Sequence, residues 1–168
     1  MEIIDNFLDK KDFLIIQNAI LNGPISWYFQ KGKDRDYKDD DDNELDQYQF
    51  THLFYNNFEP CSSFFKILEP LVKKLNVSSL IRIKANLNPH NTTLSQGIFH
   101  TDYNRKNQKT AVFYINDCNG YTLFKKPNKK VYSKANRVVI FDSNTLHSGT
   151  NTTDKKRRVV LNINYYEL

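Results

Sequence analysis

Apolar and polar positions along the chain change period near residue 76. In "LDKKDFLIIQNAIL", Phe13, Ile16, Ile20 and Leu21 recur at helical spacing, with Asp9 placed to cap the helix and Gly23-Pro24 to stop it. "SSFFKILEPLVKKL" predicts a second helix, with Ser62 or Ser63 as its cap, lysines in its last turn, and a kink or a fresh start at Pro70. Between them "ISWYF" and "QYQFTHLFY" read as strands. After Asn76 the alternation is that of strands: "SLIRIKANL", "LSQGIFHTDY", "KTAVFYIND", "YTLFKK", "KVYSKANRVVIFD" and "RRVVLNINYYEL", separated by Asn, Gly, Pro and Lys turns. The pattern predicts an α+β chain: helices bracing one face of a sandwich or jelly roll. A length of 168 residues suits one domain, with a helical and mixed part over 1–76 and a strand-rich part over 77–168.

Composition narrows the class. A 39% hydrophobic and 14% aromatic content excludes a disordered chain. Two cysteines, Cys61 and Cys118, are too few for a disulfide framework or a cysteine zinc site, and read as free thiols. The N-terminus shows no basic region followed by an apolar run, and no stretch approaches the ~18 apolar residues of a membrane span. The expectation is a soluble, cytoplasmic protein with no membrane partner.

The net charge of +5 is unevenly spread. Lys33 to Asp46 holds eight acids and three bases, whereas Lys125 to Arg137 holds six bases and no acid. An acidic loop beside a basic surface could meet a charged partner, although solvated loops explain either run alone.

The candidate chemistry lies in "GIFHTDYN". If this segment is a strand, His100 and Asp102 point to the same side and aim an imidazole and a carboxylate at one point. A third ligand should come from a neighbouring strand, and His147, after the apolar "RVVIFD", is placed to supply it. Two histidines and one carboxylate form the facial triad typical of non-heme iron(II) oxygenases, with three positions open to a bidentate 2-oxo acid and dioxygen. The far carboxylate of such a cosubstrate needs a cation. Arg157 and Arg158 open the last strand, and on a strand only one of them faces inward. His52, between Phe50 and Phe54, reads as a satisfied core histidine, and His90 as a loop residue with no specific role.

With these residues in this order, Arg82 to Tyr165 resembles the iron(II)- and 2-oxoglutarate-dependent dioxygenases, in their prolyl 4-hydroxylase-like branch. His100-x-Asp102 and His147 match the family's metal ligands. "TAVFYIND" and "GYTLF" match its paired strands, and "RVVLNIN" its last strand. The resemblance implies a double-stranded β-helix and Fe(II) as cofactor, with 2-oxoglutarate as cosubstrate and ascorbate as accessory reductant. It assigns Arg158 and Tyr114 to the cosubstrate carboxylate, with Thr122 lining that pocket and Asn162 as the later asparagine of the strand. Two positions depart from the pattern: Leu87 in "KANLNP" stands for a tyrosine, and Asn119-Gly120 for a double glycine. The implied reaction is hydroxylation of an aliphatic carbon in a peptide or protein, prolyl by analogy. Alternatives are a nucleobase demethylase or hydroxylase acting on DNA or RNA, and a non-catalytic metal-binding jelly roll. Against the nucleobase reading, the last strand carries asparagines where those enzymes carry further arginines.

Overall fold

A computed structural model describes residues 1–31 and 48–168. The acidic run Lys33 to Asp46 lies outside the described residues. In chain order the elements are β1 (Glu2–Ile4), α1 (Lys10–Asn22), β2 (Tyr28–Lys31), β3 (Tyr48–Asn56), β4 (Glu59–Pro60), a 3₁₀ turn (Phe65–Leu68) and α2 (Glu69–Lys74). There follow β5 (Val77–Pro89), β6 (Gln108–Tyr114), β7 (Tyr121–Phe124), β8 (Lys129–Tyr132), β9 (Arg137–Asp142), β10 (His147–Gly149) and β11 (Arg157–Glu167). The large sheet runs β1-β9-β6-β11-β5-β3-β2, with β4 on β3, and the small one β10-β7-β8. The pairings between these strands are antiparallel.

The two faces of the large sheet have different tasks. Ile83 and Ala85 of β5 and Val159, Leu161 and Ile163 of β11 pack with Phe13, Ile16 and Ile20 of α1 and with Leu68 and Leu71 of the second helical segment. Each buried Val, Leu, Ile or Phe among them contributes about 1.5–3 kcal/mol, which fixes the helices to this face. The opposite face meets the small sheet: Val112, Tyr114, Val139, Phe141 and Val160 pack with Phe124 and Val131. Because β11 is covered on both sides, its alternation is concealed in a long buried run; the inward set is Arg158, Val160, Asn162 and Asn164.

Several expected elements are revised. "LSQGIFHTDY" is not a strand; its ladder contacts are isolated bridges, Gln96 to Thr150 and His100 to His147. "KVYSKANRVVIFD" divides into β8 and β9, which belong to different sheets. The break falls at Asn136, whose φ of 63° lies in the left-handed region, and whose amide bonds both backbone groups of Leu8. The strand expected at "ISWYF" begins only at Tyr28. The second helix starts anew at Pro70, within the first turn of α2, where a missing N–H costs nothing. The Asp9 side chain makes no capping bond, and Gly23 closes α1 in an extended conformation where a Cβ would collide with the Ala19 carbonyl oxygen. Among the described residues no helix is long and apolar enough to cross a membrane.

Candidate metal centre and cosubstrate pocket

The candidate ligands converge without the strand that was expected to carry two of them. His100 and His147 exchange backbone hydrogen bonds of 3.0 Å in both directions, and their ring centres lie 4.7 Å apart. Asp102 is held two residues on by its N–H, which donates to the Ser143 carbonyl at 3.1 Å. His147 Nε2 stands 3.8 Å from Asp102 Oδ2, and one ligand atom from each of the three residues lies within 4.8 Å of the others. The local bridge thus does the work assigned to a longer strand.

Each histidine is oriented through its other nitrogen. Nδ1 of His147 lies 2.9 Å from the Thr145 carbonyl, and Nδ1 of His100 lies 3.1 Å from the Ile98 carbonyl. A carbonyl only accepts, so Nδ1 carries the proton in both rings and Nε2 is the ligating nitrogen. Phe141 packs on His147 at 4.8 Å between ring centres, which fixes the ring further.

Asp102 sits in a network that sequence reading did not foresee. Its carboxylate accepts from Thr110 Oγ1 at 2.9 Å, from Asn162 Nδ2 at 3.3 and 3.1 Å, and from Arg82 Nη2 at 3.3 Å. Burial opposes ionisation, but His147, Arg82, Asn162 and Thr110 together hold the carboxyl below its ordinary value. Arg82 is itself oriented by Asn164 and Asn162, at 3.0 and 3.2 Å. The available signal was period-two polarity: Arg82, Lys84, Asn86 and Asn88 alternate with apolar Ile83, Ala85 and Leu87. Two imidazoles and an ionised carboxylate on one side of a cavity are the donor set that suits a divalent first-row metal.

A cavity of about 90 Å³ opens beside the triad, and Arg158, Thr122 and Gly149 line its far wall. Arg158 is 2% exposed. Its guanidinium donates to Ser133 Oγ at 2.8 Å, the Thr150 carbonyl at 3.2 Å and Thr122 Oγ1 at 3.1 Å, all uncharged oxygens. Among the described residues no carboxylate pairs with it. Arg157 turns the other way, donating to the Leu21 carbonyl at the end of α1. Gly120 leaves the space through which Arg158 passes, since a Cβ there would fall 2.5 Å from Arg158 Cδ.

Tyr114 lies behind this wall, fully buried. Its hydroxyl lies 2.9 Å from Thr122 Oγ1, and its ring centre is 5.7 Å from the Arg158 guanidinium carbon. Burial raises the Tyr114 pKa, and Arg158 beside it opposes that shift. Thr122 Oγ1 therefore accepts from Arg158 and shares a hydrogen bond with the Tyr114 hydroxyl, which also lies 3.3 Å from the Val131 carbonyl. In "KANLNP" Lys84, Asn86 and Asn88 face the cavity, Asn88 opposite Arg158, whereas Leu87 packs toward the helices. His52 is a satisfied buried histidine bonded to the Ser26 carbonyl and Ser62 Oγ, each at 2.8 Å. His90 lies outside the cavity, with Nε2 3.2 Å from the Thr153 carbonyl. Cys61 is exposed, Cys118 is buried, and both are free.

No protein-family model and no curated protein sequence matches the chain. Solved structures do. The viral collagen prolyl hydroxylase of Paramecium bursaria Chlorella virus-1, in complex with 2-oxoglutarate, superimposes with a TM-score of 0.60 at 14% identity over 99% of this chain and 96% of that one. The prolyl hydroxylase of Trichoplax adhaerens, in complex with a hypoxia inducible factor peptide fragment, gives 0.62 at 16% identity over 99% and 83%. An oxidoreductase of the 2-oxoglutarate-Fe(II) oxygenase family from Burkholderia pseudomallei gives 0.68 at 8% identity over 97% and 84%. The chain thus has the double-stranded β-helix fold of the iron(II)- and 2-oxoglutarate-dependent oxygenases, prolyl hydroxylases among them, with a His-x-Asp…His triad lining its cavity.

Proposed function

We propose that this protein is an Fe(II)- and 2-oxoglutarate-dependent dioxygenase that hydroxylates an aliphatic carbon of a peptide or protein. The observation that carries the reading is Arg158. A guanidinium this deeply buried, held by uncharged oxygens and facing the same cavity as the triad, calls for an anionic ligand. A dicarboxylate reaching from the metal to Arg158 answers that call.

His100, Asp102 and His147 would hold the metal. Bound iron(II) supplies dioxygen activation: 2-oxoglutarate is oxidised to succinate and carbon dioxide while one oxygen atom enters a substrate C–H bond to give an alcohol. The protein's own part is positioning. Arg158 receives the far carboxylate beside Thr122, and Tyr114 fixes Thr122 from behind. Ile98 and Thr145 keep both imidazoles in the ligating tautomer. Val112 and Val160 give the cavity its apolar surface.

Prolyl hydroxylases among the structural neighbours support a peptide substrate, and proline is the analogous target. The aromatic residues of β2 and β3 are not among those that line the cavity. Gln49 of β3 lines the cavity, so Tyr48 and Phe50 point away from it, clustered with Phe29 at 5.8–6.2 Å between ring centres. A nucleobase substrate is the second reading. The basic β7–β8 hairpin favours it, because Lys125 donates its backbone N–H to Leu146, next to His147, and so brings the hairpin to the triad.

The test is iron-dependent succinate release with proline-rich peptides and with single-stranded oligonucleotides. Release above background with peptides, abolished in His147→Ala, is the expected outcome. Turnover on oligonucleotides alone, falling steeply with salt as counterion release requires, would replace the peptide reading. Absence of any iron-dependent succinate would leave a non-catalytic metal-binding jelly roll.

A further inference from the structure

We propose that the substrate brings a carboxylate to the metal centre, and that Arg82 receives it. The proposal rests on the oxygenase reading above and deepens it: the preferred target is an acidic residue, not proline.

The argument begins with charge. The loaded site would hold a divalent metal and a dianionic cosubstrate, which cancel. Asp102 and Arg158 are of opposite sign and cancel as well. Arg82 and Lys84 then leave the cavity lining with an excess of positive charge. Arg82 lines the cavity with its side chain only 12% exposed, 3.3 Å from a carboxylate that is also the triad's acid. Its other partners, the Asn162 and Asn164 amides and the Tyr103 ring 5.5 Å away, are uncharged. An excess of positive charge in so dry a place is costly, and a substrate anion would remove that cost.

Geometry agrees. Arg82 Nε and Nη2 are fixed by Asn164, Asn162 and Asp102, while Nη1 makes no hydrogen bond to the described residues. The fork is therefore preorganised with one nitrogen left for a ligand. The neighbouring wall is polar too. Lys84, Asn86 and Asn88 continue the cavity face of β5, and Gln49 joins them from β3. Ligand pockets are usually lined mainly by apolar side chains with few polar groups; this wall reverses that ratio. Asn86 Oδ1 is a second, independent sign of a ligand, being buried with no hydrogen-bond partner. It asks for a donor, such as a peptide N–H. A carboxylate beside an N–H describes an acidic residue of a peptide or a free acidic amino acid.

The experiment uses blocked pentapeptides Gly-Gly-X-Gly-Gly with Asp, Glu, Asn, Gln or Pro at X, together with free aspartate and glutamate. Two readouts are taken: succinate release with Fe(II) and 2-oxoglutarate, and Tm of the Mn(II)- and N-oxalylglycine-loaded protein. The carboxylate probes are expected to raise turnover at least tenfold over their matched amides and over proline, and to raise Tm where the amides do not. The response should fall at least tenfold in Arg82→Gln and return in part in Arg82→Lys. Whether the peptides or the free amino acids respond identifies the source of the carboxylate. Equal responses to amide or prolyl probes, no response to any probe, or a carboxylate response unchanged in Arg82→Gln would each overturn the proposal. Should Arg82→Gln fail to fold, the wild-type comparison of charged and amide probes still decides. Failure of the oxygenase reading shows separately, as no Tm rise when 2-oxoglutarate is added to the Mn(II)-loaded wild type.

Discussion

Asn162 Nδ2 spans the carboxylate of Asp102, lying 3.3 Å from one oxygen and 3.1 Å from the other. The same amide accepts from Arg82 Nη2 through its oxygen, so one side chain sets the relation between a metal ligand and its cation. Partners that orient ligands in this way typically account for tenfold to a hundredfold in metal affinity. Asn162→Ala should weaken Mn(II) or Fe(II) binding by about that factor while the far-UV circular dichroism stays that of the wild type. Unaltered metal affinity in a folded variant would remove Asn162 from the site.

The two adjacent arginines of β11 should separate cleanly. Arg158→Ala removes a charge-assisted contact of about 1.5–3 kcal/mol, hence about tenfold to a hundredfold in 2-oxoglutarate affinity. Arg157→Ala should leave that affinity unchanged. Its loss falls on the Leu21 carbonyl at the end of α1, a stability effect of about 0.3–1 kcal/mol. Calorimetric titration of both variants distinguishes them, and the reverse order of sensitivity would mean that β11 presents its other face.

Asp5 supplies a pH test of how the N-terminal segment is attached. Arg137, at 2.6 and 3.1 Å, and Lys134, at 2.8 Å, hold its carboxylate, and their hydrogen bonds push its pKa well below the ordinary 3.8. A depressed folded-state value means that the stabilisation is fully present above the unfolded value and disappears as pH falls through the folded one. The cluster is partly exposed, so solvent screening limits it to about 1 kcal/mol, equivalent to about 2–4 °C in Tm for a chain of this size. Asp5→Asn should therefore lower Tm by that amount at pH 7, and the gap should narrow steadily below about pH 4. A gap that is constant down to pH 2 would show that the ion pairs are not its cause.

Which parts of this were legible in the sequence follows from how local each signal is. Phe13, Ile16 and Ile20 announce α1 because helical spacing is read within a dozen residues. The meeting of His100, Asp102, His147 and Arg158 at one cavity was legible from their residue types, their order and the alternation of the last strand. Arg82 was not, since its role depends on β5 and β11 pairing in a register that sets it opposite Asn164, far along the chain. The split at Asn136 was missed for a similar reason: Leu8, which its side chain bonds, is 128 residues away. "LSQGIFHTDY" has strand-like alternation yet only two bridges, because pairing needs a partner of matching length and β10 is three residues long.

Gly120 joins the packing of the pocket to its chemistry. A methyl group there would fall 2.5 Å from Arg158 Cδ, and it would also collide with the Asn151 carbonyl, which is backbone and cannot swing aside. Arg158 is held by Ser133, Thr150 and Thr122, so its displacement would break bonds to three residues at once. Overpacking of this kind costs about 1–3 kcal/mol. Gly120→Ala should therefore lower stability by that amount and also weaken 2-oxoglutarate binding, while metal affinity in the absence of cosubstrate stays near wild type because no triad residue touches Gly120. Two titrations on one variant check this, Mn(II) alone and then 2-oxoglutarate in the presence of Mn(II). A variant that binds 2-oxoglutarate as tightly as the wild type would show that Arg158 keeps its position without the space Gly120 provides.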